Sequence, residues 1–260
     1  MLRTRVLTAV LAIPVVGICL WHGGILLQAL IFAAAVIGLV EFARLLGPNA
    51  QYEYLFGAGL SFVLATYGEL GDVKIAIWLF AQLLYFLVRN TFSTRKPLAA
   101  AENILGVLYV AVPLSFIWLV RSEFGLAWCV YGLMVTWATV TAAYFGGMSF
   151  GKTKLAPNIS PKKSVEGAIS GCIAGTACGG GFALWLGQPL GFALAVSLLL
   201  SIAGQLGDLC ESALKREKSV KDSGAILPGH GGILDRVDSL AFVMPLLYII
   251  LSLMLIPAGP

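Results

Sequence analysis

Reactive side chains gather in one stretch of this chain, Ser212 to Asp238, SALKREKSVKDSGAILPGHGGILDRVD. It carries Glu217, Asp222, Asp235 and Asp238, with Glu211 just before it, out of only thirteen acids in 260 residues. Lys215, Arg216, Lys218, Lys221, Arg236 and His230 lie among them. If the run-in from Gln205 is helical, Asp208, Glu211, Ser212 and Lys215 fall on one face. Asp235 and Asp238, three residues apart, share a second face. Between the two lies Leu227-Pro-Gly-His-Gly-Gly, which cannot form regular helix. Two acidic faces flanked by lysines and arginines suit carboxylates that hold a hard cation while the basic residues hold phosphates. Magnesium favours such a site, because a few carboxylates, waters and substrate phosphates complete its octahedron. Zinc fits poorly: the chain has two histidines, and His22 is far away in sequence. No P-loop pattern is present. A solvated charged loop is the plainer alternative.

A second polar stretch runs from Tyr144 to Gly167. Gly146, Gly147 and Gly151 allow close backbone approach, and Lys152, Lys154, Lys162 and Lys163 add positive charge. Ser160 followed by Pro161 reads as a helix cap and first helical position. Lysines beside a helix N-terminus suit phosphate. A basic loop drawn to anionic lipid would look the same on charge alone.

The elements that position these stretches are apolar. The chain is 59% hydrophobic and 12% charged, with a mean hydropathy of +0.91. A soluble surface needs far more charge. Continuous rather than alternating apolar segments exclude a strand barrel. The reading is therefore an all-α, polytopic transmembrane protein of about nine spans: Val6–Trp21, Ile25–Val40, Tyr54–Tyr67, Val73–Val88, Ile104–Val120, Leu126–Phe145, Gly167–Leu186, Leu190–Gly204 and Val237–Ile256. Several fall short of the roughly 20 residues that a straight span needs. The eighth is expected to continue as helix towards Arg216. Pro14, Pro113 and Pro245 are expected to kink their spans. The Gly- and Ala-rich seventh reads as close helix packing. The N-terminal run reads as a retained span rather than a cleaved signal.

Charge supports that count. Fifteen of the seventeen basic residues fall on the side of the N-terminus, and only Lys74 and Arg121 on the other. The asymmetry places the N-terminus and both polar loops in the cytoplasm. Glu41 and Arg44, on one face at the end of span two, read as an interfacial ion pair of little energetic worth. The five cysteines lie in apolar or helical runs without metal-ligand spacing and read as packing residues.

The second half of the chain carries a family resemblance. Ser212, Lys215-Arg216, Lys221-Asp222, His230-Gly231-Gly232, Asp235-Arg236 and Asp238 together resemble the signature of phosphatidate cytidylyltransferases. Ser160-Pro-Lys-Lys-Ser-Val-Glu-Gly resembles a second loop of that family, and Leu2-Arg-Thr-Arg-Val its usual start. Val140 stands where many members carry Asp, and Gly147-Met148 where a Gly-Arg pair is common.

The resemblance implies a single integral membrane domain over 1–260, with N-terminal spans in 1–125 and a catalytic half in 126–260. Cytoplasmic loops 146–166 and 205–238 would carry the chemistry. It implies transfer of a cytidylyl group from CTP to phosphatidic acid, giving CDP-diacylglycerol and pyrophosphate at a bacterial inner membrane. Magnesium is the implied cofactor, with potassium as a second cation, and a homodimer without nucleic acid is the implied assembly. Asp208 and Asp235 are the leading metal ligands, with Glu211, Asp222 and Asp238 in support. Lys215, Arg216, Lys221 and Arg236 are assigned to the triphosphate, and Ser160, Lys162 and Lys163 to either phosphate. Ser212 and Asp222 belong to the substrate site, and His230 to the catalytic group. A CTP-dependent polyprenol or phytol kinase is disfavoured by the complete signature. An ion-coupled transporter is disfavoured because the acids gather at one face rather than in mid-span.

Overall fold

The computed structural model describes residues 2–47, 52–67, 99–224, 226 and 231–255, with isolated positions between 80 and 91. The fourth expected span, Val73–Val88, therefore lies mostly outside the described residues. Two compact units emerge: Met1–Leu119 with Asp222–Arg236, and Val120–Lys221 with Val237–Pro260. The signature stretch is divided between them.

The first unit is built on α1 (Leu2–His22), α2 (Gly24–Leu46) and α3 (Tyr52–Thr66). It continues through α4 (Ala99–Gly106), a π-helical stretch Val107–Ala111 and α5 (Val112–Leu119). Leu27, Ile31, Ala35, Leu39 and Phe42 recur at helical spacing on α2 and are buried together. Glycine sets the spacing: a Cβ on Gly106 would lie 2.6 Å from Leu55 and 2.7 Å from Phe42. The π stretch has a local cause. Pro113 has no N–H to donate one turn back, so the helix widens just before it.

The second unit opens with another π stretch, Val120–Phe124, and then α6 (Leu126–Phe150). A short hairpin follows, β1 (Lys154–Ala156) antiparallel to β2 (Ser160–Ser164), with Lys154 opposite Ser164 and Ala156 opposite Ser160. Next come α7 (Val165–Trp185) and α8 (Leu190–Glu217). After α9 (Leu234–Val237), which lies mostly in the first unit, α10 (Leu240–Leu255) closes the second.

Gly167, Gly171, Gly175 and Gly179 line one face of α7, and this stripe is a packing device as expected. A Cβ at Gly171 would stand 2.8 Å from the Thr139 carbonyl of α6, and one at Gly167 2.7 Å from that of Ala143. Hydroxyls knit α6 to α8: Tyr131 pairs with Ser197 at 2.8 Å, and Thr139 donates to Ser201 at 3.0 Å. In lipid, close approach and interhelical hydrogen bonds replace the hydrophobic drive that water supplies.

The protein is mostly helical, and five described helical runs are long and apolar enough to cross a membrane: 24–46, 101–124, 126–150, 165–185 and 190–217. Shorter apolar helices cover 12–22 and 240–254. The eighth expected span does continue as helix, to Glu217. One expectation is corrected, and a short β-hairpin is added to the helical fold. Ser160 and Pro161 do not start a helix but lie in β2. The cap is Ser164, whose Oγ accepts the Gly167 N–H at 3.1 Å. Proline suits an edge strand, where its missing donor costs nothing, and Ser164 with Val-Glu behind it is the better helix start.

Candidate functional site

In the second unit, α7 fixes the basic loop. The Glu166 carboxylate accepts the N–H groups of Lys152 at 3.0 Å and Thr153 at 3.1 Å. The Val165 N–H donates to the Thr153 carbonyl at 2.9 Å. Gly151 passes so close to Gly147 and Ser164 that no Cβ would fit. From the other side, the guanidinium of Arg216 donates to the Ile159 carbonyl at 3.2 Å and to the Val220 carbonyl at 3.0 Å. Arg216 thus ties the end of α8 to the hairpin, which joins the two polar stretches that the sequence keeps about fifty residues apart.

A cavity of about 550 Å³ lies beside this hairpin. Its polar wall includes Ser160, Lys162, Lys163, Gln205, Asp208 and Ser239. Its apolar wall comes chiefly from α6, with Val140, Tyr144 and Met148. Lys163 forms an ion pair with Asp208 at 2.7 Å. Val140 is 47% exposed and faces this polar space. An aspartate at that position would therefore stand in the same cavity as Lys163 and Asp208.

Glu211 and Lys215, one turn apart on α8, form a buried ion pair at 2.6 Å. Asp238 lies in the turn ahead of α10, outside the apolar helix. Gly207 lets it approach α8, since a Cβ there would be 2.5 Å from the Asp238 carbonyl. Burial and then the negative charge of Asp208 push the Asp238 carboxyl up to about 6, with its Ser239 N–H bond and Lys215 and Lys163 pulling the other way. Asp208, Lys163 and Lys215 thus all act electrostatically on Asp238. Ser212 is half-buried on α8, and Lys221 is exposed at the end of the unit.

The remaining signature residues belong to the first unit. Asp222 and Arg236 are exposed there, and His230 lies outside the described residues. Asp235 Oδ2 accepts three hydrogen bonds: from the Gly232 N–H at 2.8 Å, and from the Ser223 N–H and Oγ at 3.1 Å each.

Glu41 corrects the reading as an interfacial ion pair. It is fully buried, while Arg44 is exposed. Its Oε1 accepts the Ile233 N–H at 3.0 Å; its Oε2 accepts the Leu234 N–H at 3.0 Å and the Ser223 hydroxyl at 3.2 Å. Sequence spacing gave no sign that this acid turns inward. The available signal was its setting, since it closes an apolar run from Ile25 broken only by Gln28.

Among the described residues, no group of three or more His, Cys, Asp or Glu side chains could hold a metal ion by itself. A magnesium site needs less, because one or two carboxylates suffice when substrate phosphates and waters complete the shell. Asp208 and Asp238 are near enough for the charge of the first to add to the burial that already raises the carboxyl of the second.

The model of the cytidylyltransferase family matches residues 3–254. The phosphatidate cytidylyltransferase of Bacillus subtilis (strain 168) is 39% identical over 271 aligned positions, covering 97% of this chain and 98% of that protein. Those of Staphylococcus aureus (strain COL) and Staphylococcus epidermidis (strain ATCC 35984) are each 37% identical, covering 96% of this chain and 99% of each relative.

Proposed function

This chain belongs to the cytidylyltransferase family, and we propose that it transfers a cytidylyl group from CTP to phosphatidic acid in phospholipid biosynthesis. A phosphate oxygen of phosphatidic acid attacks the α-phosphorus of CTP. The bond from that phosphorus to the bridging oxygen of the β-phosphate breaks, and CDP-diacylglycerol and pyrophosphate result. The full-length relationship to phosphatidate cytidylyltransferases carries this reading. The cavity of the second unit supports it, since one wall suits a lipid chain and the other an anionic group.

Phosphoryl-type transfer asks the protein mainly to position groups and neutralise charge. Lys162, Lys163 and Ser160 are suited to bind a phosphate. Lys163 can exchange Asp208 for a substrate oxygen, which leaves the carboxylate available. Lys215 is held by Glu211, so it is pre-oriented rather than mobile. Arg216, Lys221 and Arg236 are assigned to the triphosphate, with Ser212 and His230 as further contacts. We assign magnesium first to Asp208 and Asp235, with Glu211, Asp222 and Asp238 as supporting acids and potassium as a second cation. Magnesium bound there would neutralise charge on the transferring phosphate.

The same reading places nine spans in the membrane, the N-terminus and polar loops in the cytoplasm, and a homodimer as the assembly. The fifteen-to-two division of basic residues supports the orientation. The deciding experiment gives purified protein CTP, magnesium and phosphatidic acid and measures pyrophosphate and CDP-lipid. Formation of CDP together with a phosphorylated lipid alcohol, when a polyprenol is supplied instead, would overturn it. A tag at the C-terminus accessible from outside, with one in 152–163 accessible only from the cytoplasm, checks the orientation. Labelling of both from one side would sink the nine-span arrangement.

A further inference from the structure

Glu41 is an acid buried in the apolar packing of the first unit. Among the described residues, no lysine or arginine forms a salt bridge with it. A buried carboxylate without a cation is tolerated only when donors satisfy it. Its three donors all come from the signature stretch: the N–H groups of Ile233 and Leu234 and the hydroxyl of Ser223. Two glycines let the backbone close over it. A Cβ at Gly224 would lie 2.5 Å from Oε1, and one at Gly232 would overlap Oε2 and Ser223 Oγ. The match is between one side chain on α2 and a segment about 190 positions later.

The network reaches a residue assigned to the chemistry. The Ser223 hydroxyl lies between Glu41 Oε2 at 3.2 Å and Asp235 Oδ2 at 3.1 Å. Asp235 Oδ2 in turn accepts from the Ser223 and Gly232 N–H groups. Glu41 thus holds both the backbone just before Asp235 and the hydroxyl against which Asp235 rests.

We propose that Glu41 is a positioning residue for cytidylyl transfer, its buried carboxylate being the template on which Gly232–Leu234 and, through Ser223, Asp235 are set. An apolar residue could fill the space but could not accept the donors. Hydrogen bonds in a low-dielectric interior fix orientation as well as distance, and catalytic groups lose rate when displaced by about an ångström. The requirement is therefore for an acceptor of this length at this position.

The test uses the purified full-length protein with Glu41→Gln, Glu41→Asp, Ser223→Ala and, as a packing control, Ile31→Ala on the same helix. Amide exchange at Ile233 and Leu234 is measured beside kcat and the KM for CTP. Glu41→Gln replaces one of the two acceptor oxygens with an NH2 donor that faces donors. It should raise exchange at those two amides at least tenfold and lower kcat at least tenfold, with KM changing less than threefold. Glu41→Asp should recover part of the lost kcat, and Ser223→Ala should lower kcat in the same direction by less. Ile31→Ala should lower the melting temperature yet leave both readouts within twofold at 20 °C.

Unchanged exchange in Glu41→Gln would overturn the anchor. Raised exchange with unchanged kcat, or equal effects from Ile31→Ala, would overturn the positioning role. If Glu41→Gln does not fold, Glu41→Asp and Ser223→Ala decide, and wild-type exchange and kcat in both would sink the proposal. Only the kinetic arm rests on the cytidylyl-transfer reading. Wild-type protein inactive with CTP and phosphatidic acid would refute that reading, while the exchange arm still judges the anchor.

Discussion

Two pairs of acids, one in each unit, are held differently. In the first unit, Glu41 and Asp235 accept from backbone N–H groups and from the Ser223 hydroxyl. In the second, Asp208 and Glu211 are paired with lysines, and Asp238 feels the charge of Asp208. Neutral donors on the backbone make a carboxylate a structural fixture. A lysine ammonium on a flexible stem can be exchanged for another cation. The contrast assigns shape to Glu41 and Asp235 and charge exchange to Asp208.

The sharpest way to break that contrast is to remove one acid of each kind. Asp208→Asn should abolish turnover, by a factor above about 1,000, and leave the melting temperature nearly unchanged, because its half-exposed ion pair contributes little to stability. Asp235→Asn should lose turnover and also melt earlier, since one oxygen accepts three hydrogen bonds worth roughly 1 kcal/mol each. Equal melting temperatures for the two variants would erase the distinction. Either one keeping near-wild-type activity at limiting magnesium would remove that residue from the metal site.

Next in size is a glycine comparison. Gly232→Ala places a methyl group against Glu41 and Ser223. The expected loss is on the order of 1–3 kcal/mol, as for overpacked sites, with a matching fall in activity. Gly181→Ala, with nothing within 4 Å of the added Cβ, should stabilise by up to about 1 kcal/mol through helix propensity. Thermal melts in detergent check both.

A pH dependence separates the units further. The Asp238 carboxyl is raised to about 6 in the folded protein, so between about pH 4 and 6 the unfolded chain releases its proton first. The stability that Asp238 contributes is present at lower pH and lost as pH rises through 6. Asp238→Asn should flatten that fall in metal-free protein. In the wild type, half-maximal activity should need more magnesium below pH 6, where the carboxyl holds its proton. Identical melting-temperature profiles for the two proteins would contradict this.

Val140→Asp carries the smallest expected effect. The side chain faces the polar cavity rather than being confined to lipid contact, so the variant should express normally. It should raise activity or lower the magnesium requirement by a few-fold. Unchanged rate and unchanged magnesium dependence, normalised to folded protein, would place this position outside the working site.

Much of this arrangement was legible in the chain because it is local. The 59% hydrophobic composition marks membrane helices, and the glycine stripe of α7 announces close packing four residues at a time. The helical face running through Asp208, Glu211, Ser212 and Lys215 forms one uninterrupted helix to Glu217. The hairpin was less legible. Ser160-Pro161 and Ser164-Val165 are both plausible helix starts by residue type, and strand pairing with Lys154–Ala156 decides between them.

The sequence by itself determined the family, the membrane class and the polar stretches that carry the chemistry, because those depend on composition and short-range spacing. Only the tertiary structure decided what Glu41 faces. Glu41 and Glu211 are equally plain glutamates in the chain, yet one ends up among backbone donors and the other against a lysine one turn away. The reason is physical. An ion pair at i, i+4 is set by helical geometry, whereas the donors that satisfy Glu41 come from a segment about 190 residues distant and exist only once that segment has folded over α2.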